Sequence, residues 1–130
     1  KSNKMKASTC LKISSVCYFL LSIFVLITLW LTPEVLPYYQ NQEAIEAARG
    51  WGDVNGLLFL SLALIWFLSS NLENLKPKKV IGMSNFIIAI ILLSLAIFHH
   101  LVLTGPPPPV FILITISGGM GFYAWRKSTT

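Results

Sequence analysis

Four long stretches without a charged residue constrain this chain more than anything else in it: residues 13–33, 54–72, 80–105 and 106–125. A helix needs about 20 mainly apolar residues to cross roughly 30 Å of hydrocarbon, and each stretch meets or approaches that length. Hydrophobic residues make up 55% of the 130 positions and charged residues 12%, too apolar a mixture for a soluble domain of this size to hide. The expected fold is all-α: an integral-membrane, antiparallel four-helix bundle in one domain. Its spans are placed at about 12–32, 53–72, 80–103 and 108–125, with an outer loop over about 33–52 that is partly helical.

The net charge of +5 is distributed as a membrane protein distributes it. Lys1, Lys4, Lys6 and Lys12 precede the first span, Lys76, Lys78 and Lys79 lie between the second and third, and Arg126 and Lys127 follow the fourth. Nine of the ten basic residues therefore fall on one side, against Arg49 alone on the other, which carries Glu34, Glu43, Glu46 and Asp53. This positive-inside bias places both termini on the cytoplasmic, stromal or matrix side. The basic segments are expected to meet anionic headgroups rather than nucleic acid. The first apolar run is too long for a signal peptide's core and lacks a small-x-small cleavage site, so an uncleaved helix is expected. Cys10 and Cys17 have no metal or redox spacing and read as packing thiols.

Between the first two spans, Trp30, Tyr38 and Tyr39 suit a headgroup interface, and Pro33 and Pro37 break the helix. Asn41 is positioned to cap a helix through Glu43, Ala44, Ala47 and Ala48 that extends the second span outward, with Gly50 and Gly52 as a weak point or break. Glu46, Arg49 and Asp53 are spaced for a short ion-pair ladder. "SSNLENLKPKK" is the loop that folds spans two and three into a hairpin. Pro108 or Pro109 is expected to start span four.

Lipid does not drive apolar side chains together, so small and polar residues mark where helices touch. In span two, Gly52, Gly56, Phe59, Ala63, Trp66 and Ser70 recur at intervals of three and four. In span three, Gly82, Asn85, Ala89, Leu92, Ala96 and His99 do the same. Both stripes are expected to face the interior and each other. Gly118 and Gly121, with Ser117 and Gly119, form a closely packable patch in span four.

Span three also sets His99 and His100 near its outer end, with His99 on the interior stripe and His100 rotated about 100° away. An antiparallel hairpin would bring His99 level with Arg49, Asp53 and Asn55. Three readings are open for this cluster: a structural hydrogen bond from His99 to Asn55 or Asp53, a polar pocket for a quinone, sterol or lipid headgroup, or axial ligation of haem or chlorophyll by His99. No zinc, di-iron or Ser-His-Asp spacing is present, and the ionisable residues of the spans lie at their ends rather than at the midplane where transporters bind.

The run "PEVLPYYQNQEAIEAARGWGDVNGLLFLSLALIWFLSS", a basic loop, "TGPPPP" and a final "FILITISGGMGFYAWRK" resemble the DoxX-like group of small four-helix membrane proteins over residues 33 to 127. The likeness rests on the arginine and glycines entering span two and on the Gly-Pro loop before span four. The acidic residue usual early in the last helix of such proteins is absent, and Thr115 and Ser117 are the nearest polar groups. The resemblance implies association with a quinol-oxidising membrane complex, hence a quinone-linked or accessory role. The leading functional expectation is a non-catalytic accessory or scaffolding subunit, with lipid, membrane-protein partners or further copies around it, in a plasma, organellar or thylakoid membrane. A quinone- or lipid-binding protein and a small oligomeric transporter are the alternatives.

Overall fold

The computed structural model describes residues 4–35, 41–102 and 105–129. These form four α-helices, α1 (Ala7–Trp30), α2 (Gln42–Ser70), α3 (Leu75–Val102) and α4 (Pro108–Arg126), with a 3-10 turn at Pro33–Val35. All four are long and apolar enough to cross a membrane. Lys1, Pro37, Tyr38 and Tyr39, to which the sequence assigned roles, lie outside the described residues.

The helix boundaries follow local chemistry. Asn41 caps α2, its Oδ1 accepting from Ala44 N at 2.7 Å. From there α2 runs unbroken through Gly50 and Gly52, so the expected break is absent. Glycine lowers helix propensity by about 1 kcal/mol, which is too little to interrupt a helix held along its length by packing. The loop between α2 and α3 is only residues 71–74, and the three lysines assigned to it stand in the first turns of α3. Pro77 fits there because the amides of a helix's first turn have no partner within the helix. Pro108 opens α4.

α1 is the centre of the bundle. Two buried stripes run along it one residue apart: Ala7, Cys10, Ser14, Cys17, Leu21 and Thr28, then Leu11, Ser15, Tyr18, Ser22 and Leu29. Both keep the three-and-four rhythm of a helix face. Members of the first meet α4, where Ser14 Oγ donates to Ser117 O at 3.2 Å. Members of the second meet α2, where Ser15 Oγ donates to Ala63 O at 2.6 Å and Ser22 Oγ to Gly56 O at 2.7 Å. Tyr18 stacks on Phe59 of α2, ring centroids 6.1 Å apart. The spatial order is therefore α2, α1, α4, α3, with neighbours antiparallel.

This order corrects two expectations. α2 and α3 barely touch, so they are not a packed hairpin and their stripes do not face each other. The stripe of α2 is taken up by α1, because Gly52 and Gly56 sit beneath Leu29 and Leu26. The stripe of α3 is taken up by α4: a Cβ on Gly82 would lie 2.8 Å from Ala124 Cβ and 2.9 Å from Gly121 O. Each long helix has one flat small-residue face, and each is already occupied. The two chain ends close one end of the bundle, Ala7 N donating to Thr129 O at 3.0 Å and Met5 N to the Tyr123 hydroxyl at 3.2 Å.

Candidate functional site

At the end far from the termini, the outer residues named from sequence are each placed, but not as one cluster. Arg49 turns to α1: its Nε donates to Leu29 O at 3.1 Å and its guanidinium lies 4.7 Å from the centroid of Trp30. Asp53 accepts from Trp30 Nε1 at 2.7 Å. The indole is thus held on its face by a cation and at its edge by a carboxylate, which fastens the outward extension of α2 to the last turn of α1. The ion-pair ladder does not form. Arg49 is spent on Trp30 and Leu29, and Glu46 accepts instead from Gln42 Nε2 at 3.1 Å. Asn55 is exposed.

His99 is half-buried and makes no hydrogen bond with a described residue, so none joins it to Arg49, Asp53 or Asn55. Among the described residues its ring neighbour is Phe98, at 6.0 Å. The separation follows from the helix order, since α1 claims the polar side chains of α2 while α3 is drawn to α4. His100 is exposed and meets Phe111 of α4 edge-on at 6.2 Å. It also closes against Gly105, whose φ of 71° is open to glycine. The described residues contain no group of three His, Cys, Asp or Glu able to hold a metal ion.

The polar centre of the molecule lies elsewhere, where α1, α3 and α4 cross. Asn85, Ser14 and Ser117 are each wholly buried. Asn85 Nδ2 donates to Ser14 Oγ at 2.9 Å and to Ser117 O at 3.0 Å, and Ser117 Oγ donates to Asn85 Oδ1 at 3.3 Å. One amide thereby ties three helices, which an apolar side chain cannot do in an apolar interior. Gly121 lies beside Asn85, Gly118 approaches Ala89, and Ala63, Ala96, Gly52, Gly56 and Gly82 are buried along the helix contacts.

Among the described residues, two buried polar atoms have no hydrogen-bond partner: Tyr18 Oη and Trp66 Nε1. Tyr18 Oη comes near Ser117 without the geometry of a hydrogen bond. Both rings belong to the apolar core with Leu21, Ala63, Ala89 and Ile114.

Sequence reasoning picked Asn85 but not its partner Ser14, nor the two stripes of α1. The signal was present in the spacing of Cys10, Ser14 and Cys17 and of Ser15 and Ser22. At the end bearing the termini, Lys78 was read as a loop cation, yet it is buried with Nζ donating to Ser8 Oγ at 2.9 Å. Comparison with models of protein families, with curated proteins and with solved structures finds no match.

Proposed function

We propose that the chain is an integral membrane protein with both termini on the cytoplasmic, stromal or matrix side, serving as a non-catalytic accessory or scaffolding subunit of a larger membrane complex. The observation that carries this reading is how the polar and apolar side chains are divided. The buried Ser14, Ser15 and Ser22 hydroxyls and the Asn85 amide are spent on joining the chain's own helices, while the two longest helices leave broad apolar faces uncovered. α2 presents Trp51 (74% exposed), Leu57, Leu58 and Leu68, and α3 presents Ile91, Leu95, Phe98 and Leu101. Because α2 and α3 barely touch, each face extends over most of its helix. Such faces are covered either by lipid or by the helices of other subunits.

The charge distribution supports the orientation, and the resemblance to DoxX-like proteins supports a place beside a quinol-oxidising complex. Extraction from the native membrane in a mild detergent should give a particle far larger than one 14.5 kDa chain, with other polypeptides present in fixed ratio. A lone monomer would overturn the accessory reading.

A second reading rests on His99. It is half-buried, at the end of the small-residue stripe, and has no hydrogen bond to a described residue, so its imidazole is available to a quinone or lipid headgroup. Loss of a co-purifying small molecule in His99→Ala but not in His100→Ala would favour it. Equal effects of the two, or none, would count against it.

A further inference from the structure

At the end bearing the termini, an open groove runs between the first turns of α3 and the last turn of α4. Its volume is about 440 Å³, and Leu75, Lys76, Lys79, Val80, Met83 and Trp125 line it. A volume in this range suits a small ligand or one headgroup with part of its tails. We propose that this groove binds the phosphate of an anionic glycerophospholipid, with the start of an acyl chain laid over Val80 and Met83. The proposal rests on the chain spanning a membrane and not on its being an accessory subunit.

Two observations on the groove point to an anion, and a third gives it a fixed wall. First, the basic residues there form no ion pair with a described carboxylate, Glu73 two residues ahead of α3 included. This holds for Lys76 and Lys79, which line the groove, and for Lys78 and Arg126, which lie beside it, and Lys78 is 5% exposed and donates to the Ser8 hydroxyl. A buried ammonium without a counter-ion raises the potential of the whole corner. Secondly, these lysines occupy the first turns of a 28-residue helix that has no acidic residue in its first turn. The positive end of the helix dipole and the lysine charges therefore oppose each other, and an anion placed between them relieves both. Thirdly, one wall is a fixed indole. Trp125 is held by Phe86 at 6.3 Å and Phe122 at 6.1 Å, and the Arg126 guanidinium lies 5.2 Å from its centroid.

The apolar half of the lining selects a lipid over a soluble phosphate. Val80 is 53% exposed, and Val80 and Met83 continue along α3 away from the lysines. A headgroup at Lys76 and Lys79 would thus direct its chain down the apolar part of the helix. Tryptophan is favoured at this depth, where one face of the ring is apolar and its surroundings are wet.

The test is tryptophan quenching in the full-length chain reconstituted into phosphatidylcholine vesicles. Brominated phosphatidylglycerol or brominated phosphatidylcholine is added at equal, low mole fractions, and Trp125→Phe identifies the part of the signal due to Trp125. Brominated phosphatidylglycerol should quench Trp125 selectively. The double variant Lys76→Gln with Lys79→Gln should weaken that preference by roughly 25-fold, about fivefold for each lysine. Lys127→Gln, which does not line the groove, should leave it nearly unchanged.

Equal quenching by the two lipids overturns the site. So does an equal loss in Lys127→Gln, which would mean diffuse surface charge. Displacement of the lipid by millimolar inorganic phosphate overturns the lipid as occupant in favour of a soluble anion. Release of the chain from the vesicles by alkaline carbonate would overturn the membrane reading itself, a result distinct from insertion without selectivity.

Discussion

The seam between α1 and α2 and the seam between α3 and α4 are both built from glycine, alanine and short polar residues, yet they are closed in different ways. Along the first, the glycines of α2 lie under leucine side chains of α1: Gly52 beneath Leu29, and Gly56 with a Cβ position 2.8 Å from Leu26 Cδ2. Along the second, backbone lies on backbone. A Cβ on Gly121 would lie 2.7 Å from Gly82 O and 2.8 Å from Phe86 N. A leucine can change rotamer to admit a methyl group, whereas a helix backbone can only move away as a whole. The same residue type therefore carries different weight in the two seams.

Substitutions can break or sharpen that contrast. Gly121→Ala should have the largest effect, destabilising by about 2–3 kcal/mol at the upper part of the overpacking range. Unfolding the purified protein by a graded rise in denaturing detergent would measure it. An effect of Gly121→Ala no greater than that of Gly56→Ala would mean that the two seams do not differ in rigidity.

Asn85→Leu should follow. It strips the donor that links Ser14 and Ser117 across three helices and costs about 1–2 kcal/mol, as buried interhelical hydrogen bonds in membranes do. Asn85→Leu combined with Ser14→Ala should cost less than the sum of the single changes, since both remove the same bond. Strict additivity in that cycle would show that the bond contributes nothing.

Smaller again are Gly56→Ala, where Leu26 can yield, at under about 1.5 kcal/mol, and Ser22→Ala, at about 0.6 kcal/mol. Opposite in sign is Gly50→Ala, which meets open space and should stabilise α2 by about 0.5–1 kcal/mol through helix propensity alone. A destabilisation there would reveal a contact on the outward extension of α2.

The two ends of the molecule differ as the two seams do. At the far end every polar group of α2 that faces the bundle is consumed locally: Arg49 and Asp53 grip Trp30 and leave His99 on a different helix pair. At the end bearing the termini, cations outnumber their acceptors and an indole stands beside them. The sequence drew attention to the histidines because imidazoles are conspicuous in an apolar run. Lys79 stood out only as one cation of a basic segment expected to meet headgroups, and Trp125 as an ordinary ring at a helix end; they become opposite walls of one groove only in the tertiary structure.

Much of the architecture was legible without coordinates. The four apolar runs require four helices, because length and hydropathy act through the solvation of the backbone and do not depend on which helix meets which. The small residues at intervals of three and four identify the contacting faces, since close approach requires them whatever the partner. What they cannot specify is the pairing, because a glycine stripe fits any flat or knobbed surface equally well. The pairing was decided by α1, whose two adjacent stripes hold α2 and α4 at once and leave α3 to α4. That one choice moved Gly52 and Gly56 under leucines, placed Asn85 at a three-helix crossing and kept His99 from Asp53. Composition and periodicity are properties of each helix alone, whereas a site depends on which helices are neighbours, and only the tertiary structure decided that.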